Sequence, residues 1–169
     1  MTVLSANKMR PVKIPPGGLH TAVVKLAGYT NFGDGSTEHT VYKGSVVVCD
    51  VSDTDGYFRA CPLSSSVNSD SGDIFGGIAL EKVAVGSGDT SDGSKVCTVA
   101  RDGVWGFAVG SLAITDIGAA IYASDDDTVT TTDTNNFWVG YLVDVDSVYA
   151  WVDIAPAFMR ANSAECNSW

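Results

Sequence analysis

No apolar run in the sequence approaches the roughly 18 residues that a membrane-spanning helix needs, so no bilayer span is expected. The first 18 residues carry bases but no apolar core of a secretory leader, and no Asn-x-Ser/Thr acceptor occurs in the chain. These absences predict a soluble chain made in a cytoplasm. Cysteine is sparse: Cys49, Cys61, Cys97 and Cys166 are far apart and form no Cys-x-x-Cys pair. Zinc sites favour close ligand pairs, and only His20 and His39 are there to complete one. In a reducing compartment the expectation is three buried small hydrophobes and one thiol in a tail, with neither disulfide nor metal.

Basic charge is also scarce. Ten Lys and Arg face 20 Asp and Glu, a net charge of −10, which argues against a nucleic-acid partner because phosphate binding draws on a basic surface. The imbalance is uneven. Residues 1–43 hold five bases (Lys8, Arg10, Lys13, Lys25, Lys43) against two acids, and no base occurs between Arg101 and Arg160. One reading is an acidic surface that aids solubility. The other is an acidic body with a basic N-terminal arm that docks on an acidic partner.

Catalytic patterns are missing. The sequence has no Gly-x-Ser-x-Gly elbow, no phosphate loop and no His-Glu-x-x-His. His20 lies near a breaker-rich arm and His39 ends a polar loop, so both read as surface residues. Asp53-Thr54-Asp55-Gly56 resembles part of a calcium loop, but Val51 and Pro62 stand where ligands are required, and a β-turn is the better reading. Asp125-Asp126-Asp127 reads as a solvated turn. No catalytic residue, cofactor or metal is expected.

What is present is a series of short β-like segments. Pro11, Pro15, Pro16, Gly17 and Gly18 make residues 1–18 an extended arm. Polar loops follow at 31–40, 64–73 and 86–94. Between them lie Val23, Val24 and Leu26; the Val-rich run from Val41 to Val51; and Ile74 to Leu80, broken by Gly76-Gly77. Val96 to Ala100 and Val104 to Val109 flank a tight-turn signal, Arg101-Asp102-Gly103. Ala119 to Ala123 and Thr128 to Thr132 flank the Asp turn. Residues 110–122 admit only a short helix, weakened by Gly118. The strongest hairpin pairs Phe137, Val139, Tyr141 and Val143, alternating with Trp138, Gly140, Leu142 and Asp144, with a strand in which Val148, Ala150, Val152 and Ile154 alternate with Tyr149, Trp151 and Asp153. Apolar residues on its second face (Trp138, Leu142, Tyr149, Trp151) predict cover from another sheet, a subunit or a docking partner. Strand tryptophans default to packing; a sugar platform is the alternative. Trp169 is a candidate anchor into a neighbour.

An ordered series of segments over residues 40–156 resembles a known family. The series opens with Lys43-Gly44-Ser45-Val46-Val47 and Gly76-Gly77-Ile78-Ala79-Leu80. It continues through Val96 to Trp105 and through Ile114-Thr115-Asp116-Ile117-Gly118-Ala119-Ala120-Ile121-Tyr122. Asp125 to Thr132, Trp138-Val139-Gly140-Tyr141-Leu142 and Val148 to Ile154 close it. The pattern is similar to that of tailed-bacteriophage capsid decoration, or cement, proteins.

That resemblance implies an all-β, compact β-barrel or β-tulip-like sandwich on the outside of an icosahedral head. It implies a structural protein, not an enzyme, that bridges neighbouring major capsid subunits, self-associates as a homotrimer or a dimer, and is assembled in the host cytoplasm. The expected organisation is an arm (1–18), a cement domain (19–156) and a C-terminal tail (157–169). Lys8, Arg10 and Lys13 are the expected capsid contacts, and Trp138, Tyr149, Trp151 and Trp169 the expected inter-subunit or packing aromatics. A carbohydrate-binding or adhesion module displayed on the virion is the alternative.

Overall fold

The computed structural model describes residues 4–30, 40–49, 56–61, 74–134 and 136–157. Among the described residues the chain is mostly β-structure in three antiparallel sheets, none closed into a barrel. The strands are β1 (Val12–Lys13), β2 (Thr21–Lys25), β3 (Thr40–Val41), β4 (Val46–Cys49), β5 (Phe58–Ala60), β6 (Ile74–Ala79) and β7 (Val83–Ala84). They continue as β8 (Val96–Ala100), β9 (Val104–Ala108), β10 (Ala120–Ala123), β11 (Val129–Thr130), β12 (Phe137–Val145) and β13 (Tyr149–Asp153). A six-stranded sheet runs β1-β9-β13-β12-β10-β11, a five-stranded sheet runs β2-β8-β6-β4-β5, and β3 pairs with β7. No helix among the described residues is long and apolar enough to cross a membrane.

The Val-rich run explains the layering. Val46 and Val48 belong to one apolar cluster and Val47 to another, so β4 is buried on both faces and needs no polar alternation. The first cluster joins the five-stranded sheet to the inner face of the six-stranded one through Ile78, Ala100, Phe107, Ile121, Leu142 and Val152. The second, with Val24, Leu26, Val41, Cys97 and Val99, fills the opposite side of the five-stranded sheet beside β3–β7. That sheet curls until its two outer strands approach at a single parallel bridge, Leu26 with Phe58. Cys49, Cys61 and Cys97 are buried, and burial pushes the Cys97 thiol up to about 12.

Three local expectations change. The Arg101-Asp102-Gly103 turn exists, with Gly103 at φ +95. Its flanking strands do not pair with each other, however. β8 lies in the five-stranded sheet and β9 in the six-stranded one, so the turn is a corner between layers. Gly76-Gly77 does not break β6. The strand continues through a bulge and pairs with β4 over its length and with β8 at Ile78 and Ala79. Residues 110–122 contain only a 3₁₀ turn, Ile114–Asp116, before β10 begins. The calcium-like Asp53 and Asp55, the loops at 31–39 and 64–73, and His39, Cys166 and Trp169 lie outside the described residues. Ala157, assigned to the tail, is buried in the first core cluster, so the body extends to it.

The β12–β13 hairpin is where sequence and structure agree best, with a consequential exception. β13 alternates as expected, with Ala150, Val152 and Ile154 buried and Tyr149, Trp151 and Asp153 half-exposed. β12 does not. Its register slips against β10 between Ile121 and Tyr122, and against β13 between Leu142 and Asp144. Each slip is a bulge that reverses the in–out phase of the residues beyond it. Gly140 sits beside the first at φ +149, and a Cβ there would collide with the Asp153 carbonyl oxygen. Gly140→Ala is therefore expected to destabilise the protein by at least about 2 kcal/mol, through clash and left-handed strain together, measured by chemical unfolding.

Candidate functional site

The bulges build the most distinctive surface of the molecule. In an unbroken strand, residues 138 and 141 point to opposite faces. The bulge at Val139 puts Trp138 and Tyr141 on the same, outer face, where their rings meet edge-on with centroids 5.5 Å apart and planes at 76°. On neighbouring β13, Tyr149 and Trp151 share that face, with centroids 5.7 Å apart and planes tilted by 60°. Tyr122 stands opposite Trp138 on β10, and Tyr141 stands opposite Asp153. Val143, two residues beyond Tyr141, points outward too, and the chain from Ile114 to Ala119 is hydrogen-bonded alongside it, Gly118 N–H to the Leu142 carbonyl and Leu142 N–H to the Ala119 carbonyl. Ile114, Ile117, Tyr141 and Val143 are all exposed. Among the described residues, the N-terminal strap touches this face at Pro11, beside Gly106 and Tyr149, and at Lys13, over the Trp151 ring.

Leu142 was expected on that second face. It is instead buried in the core, because the bulge at Val139 moves it inward, and Tyr141 takes the outward place. Trp138, Tyr149 and Trp151 lie on the outer face as half-exposed side chains.

Acids rim the aromatics. The Trp151 indole N–H donates to Asp146 Oδ2 at 2.8 Å. Asp146 also accepts the Val148 and Tyr149 amides. These hydrogen bonds, that from Trp151 foremost, hold its carboxyl below the ordinary range. Asp144 stands beside Trp151 in register. Among the described residues, Lys13 brings a cation to them, its ammonium 4.4 Å from the centre of the Trp151 ring and 3.5 Å from Asp144 Oδ2. Both partners of this ion pair are about half exposed (54% and 53%), so it contributes no more than about 1 kcal/mol.

Lys8 and Arg10 lead to a second feature, a strap of residues 4–13 laid across the body. The charge asymmetry of the sequence has its acidic partner within the chain itself. Lys8 pairs with Asp127 at 2.8 Å, and Arg10 Nη2 pairs with the same carboxylate at 2.7 Å. Arg10 Nε donates to the Gly44 carbonyl, Nη2 to the Asp126 and Asp127 carbonyls, and the guanidinium lies 4.2 Å from the centre of the Phe107 ring. Its side chain is wholly buried. Arg10 is thus a buried internal anchor. The arm is extended, as expected, but it is tied down: β1 adds to the six-stranded sheet, and Pro11 packs on Gly106.

The Asp turn is likewise not solvated. Ser124, Asp125 and Asp126 are at most 1% exposed. Asp125 Oδ1 accepts the Asp127 and Thr128 amides, closing the turn between β10 and β11. Asp126 accepts the Leu4 amide and the Ser45 hydroxyl, and its own carbonyl accepts the Val46 amide. His20 is 85% exposed and lies beside Asp102, with Nδ1 3.4 Å from the carboxylate. Among the described residues no cluster of three or more His, Cys, Asp or Glu is placed to hold a metal ion.

No family model matches this chain, no curated protein matches it, and no solved structure matches its fold. The functional reading therefore rests on the surface just described.

Proposed function

We propose that the chain is a structural binding module that docks through the outer aromatic face of its six-stranded sheet. More particularly, we propose a capsid decoration protein of a tailed bacteriophage, bound to the outside of the head. The observation that carries the first step is the face itself. Tyr122, Trp138, Tyr141, Tyr149 and Trp151 continue into exposed Val143, Ile117 and Ile114. Large aromatics that end partly exposed on a sheet face are the residues that dominate protein interfaces when a partner desolvates them.

The partner proposed is a protein surface with an apolar centre and a basic rim. Asp144, Asp146 and Asp153 border the aromatics, with Lys13 the one ammonium among the described residues there, on a chain of net charge −10. The second step rests on the ordered resemblance of residues 40–156 to cement proteins, with the curled five-stranded sheet read as a barrel-like body. In that role the module bridges neighbouring major capsid subunits, as a homotrimer or a dimer, and stabilises the shell by repeated binding without chemistry. A glycan platform fits less well. Sugar rings stack on coplanar aromatics, whereas these pairs stand at 76° and 60°, and Lys13 already sits over Trp151.

Purified virions from the source phage provide the test. The chain is expected among their proteins at a copy number that is a multiple set by icosahedral symmetry, and it is expected to rebind heads from which it has been stripped. Saturable glycan binding with quenched tryptophan emission, and no attachment to heads, would support the adhesion module instead.

A further inference from the structure

We propose that the N-terminal strap closes onto the body with uptake of one proton by the Ser124–Asp127 turn, so that closure tightens as the solution is acidified from neutrality. The count of buried charges leads there. Asp125, Asp126 and Asp127 project from one turn, and the strap brings two cations to it. Both cations go to Asp127: Lys8 and Arg10 each pair with its carboxylate. Asp126, 0% exposed, meets only neutral donors among the described residues, the Leu4 amide of the strap and the Ser45 hydroxyl. Asp125 Oδ2 and Arg10 Nη1 are buried with no hydrogen-bond partner among the described residues. A carboxylate sealed from water with no cation of its own is better accommodated neutral.

The groups facing Asp126 are few. Its own turn contributes Asp125 and Asp127, both of which oppose its ionisation. The strap contributes Arg10, with Lys8 one step away on Asp127. The turn before β4 contributes Ser45, and its Lys43 is exposed. Burial, the largest influence, pushes the Asp126 carboxyl up from 3.8 to about 6 against the hydrogen bonds from Leu4 and Ser45. Opening the strap removes Leu4 and admits water, returning the group toward its ordinary value. The closed form therefore holds a proton that the open form releases. Its advantage is complete below about pH 4 and is lost as pH rises through about 6. Two pKa units span about 100-fold in the closing equilibrium, of which about tenfold falls between about pH 5 and 7.5.

Amide hydrogen exchange on the full chain reads strap opening directly, because the Lys8 N–H donates to the Lys43 carbonyl only when the strap is closed. After correction for intrinsic exchange, protection of Lys8 is expected to fall about tenfold from pH 5 to 7.5. In Asp126→Asn, which keeps the acceptor but cannot titrate, it is expected to stay flat. Constant protection in the wild type, or the same tenfold fall in Asp126→Asn, would overturn the proposal. Should that variant fail to fold, the carboxyl carbon of Asp126 in the wild type is followed by NMR. A midpoint near 6 supports proton uptake, and one near 3.8 refutes it.

Discussion

Replacing Arg10 with alanine is expected to lower the unfolding free energy by about 3–5 kcal/mol, the range for stripping one partner from a buried ion pair. For a chain of this size that is a fall of about 10 °C in the thermal midpoint. The guanidinium is wholly buried and holds Asp127, the Gly44 carbonyl and the Phe107 ring at once. Its loss strands acceptors that water reaches poorly and removes the contact that pins residues 4–13. Lys8 provides the contrast. It meets the same Asp127 carboxylate, but its side chain is 36% exposed, so Lys8→Ala is expected to cost under about 1 kcal/mol. Arg10→Lys keeps the charge but loses the planar fork that reaches three carbonyl oxygens, and it falls between the two. An Arg10→Ala protein as stable as wild type would mean that the strap is not part of the folding unit. Denaturant unfolding of the three variants separates these outcomes.

Removing the aromatic face is expected to have a different profile, a large loss of attachment that exceeds the loss of stability, with Trp138, which also packs against the core, costing more stability than Trp151. Trp138→Ala and Trp151→Ala are each expected to weaken binding to heads by about 2 kcal/mol or more, about 30-fold in Kd, as central aromatic anchors do. Both side chains are partly exposed in the free chain, so each still has surface for a partner to desolvate. The edge-on contact of Trp138 with Tyr141 contributes about 1 kcal/mol to folding, which bounds the stability penalty of Trp138→Ala from that source. Titration of stripped heads with each variant, alongside its unfolding curve, measures both quantities. Binding unchanged in both variants would place the interface elsewhere, and a collapse of stability with binding would return these aromatics to a packing role.

The sequence makes the closing hairpin legible because one β13 face enters the core and the other does not, and period-2 alternation reports that difference. It makes the double burial of Val46, Val47 and Val48 legible as an unbroken apolar run. The phase of β12 is not legible in the same way. A bulge is a relation between two strands, and its only local trace is Gly140, an isolated glycine inside a strand pattern. Tyr141 is missed for that reason and Leu142 misplaced. The Asp turn is misread for a different one. Three consecutive acids are solvated unless something distant covers them, and here the cover comes from Leu4, Arg10 and Ser45, far away in the chain. The same distance hides the partner of the basic arm: the charge asymmetry is visible in the sequence, but its resolution inside one molecule requires the fold. At Arg101-Asp102-Gly103 the turn chemistry is right and the pairing wrong, because a tight turn specifies a reversal and not which sheet receives the next strand.

Hydroxyl-radical footprinting of the chain, free in solution and bound to heads, tests the docking face most directly. Tyr141, Trp138 and Trp151 are expected to lose most of their reactivity on attachment, while exposed Met9 on the strap keeps its own. Unchanged oxidation of the three aromatics on fully decorated heads would contradict the assignment of the outer sheet face as the binding surface.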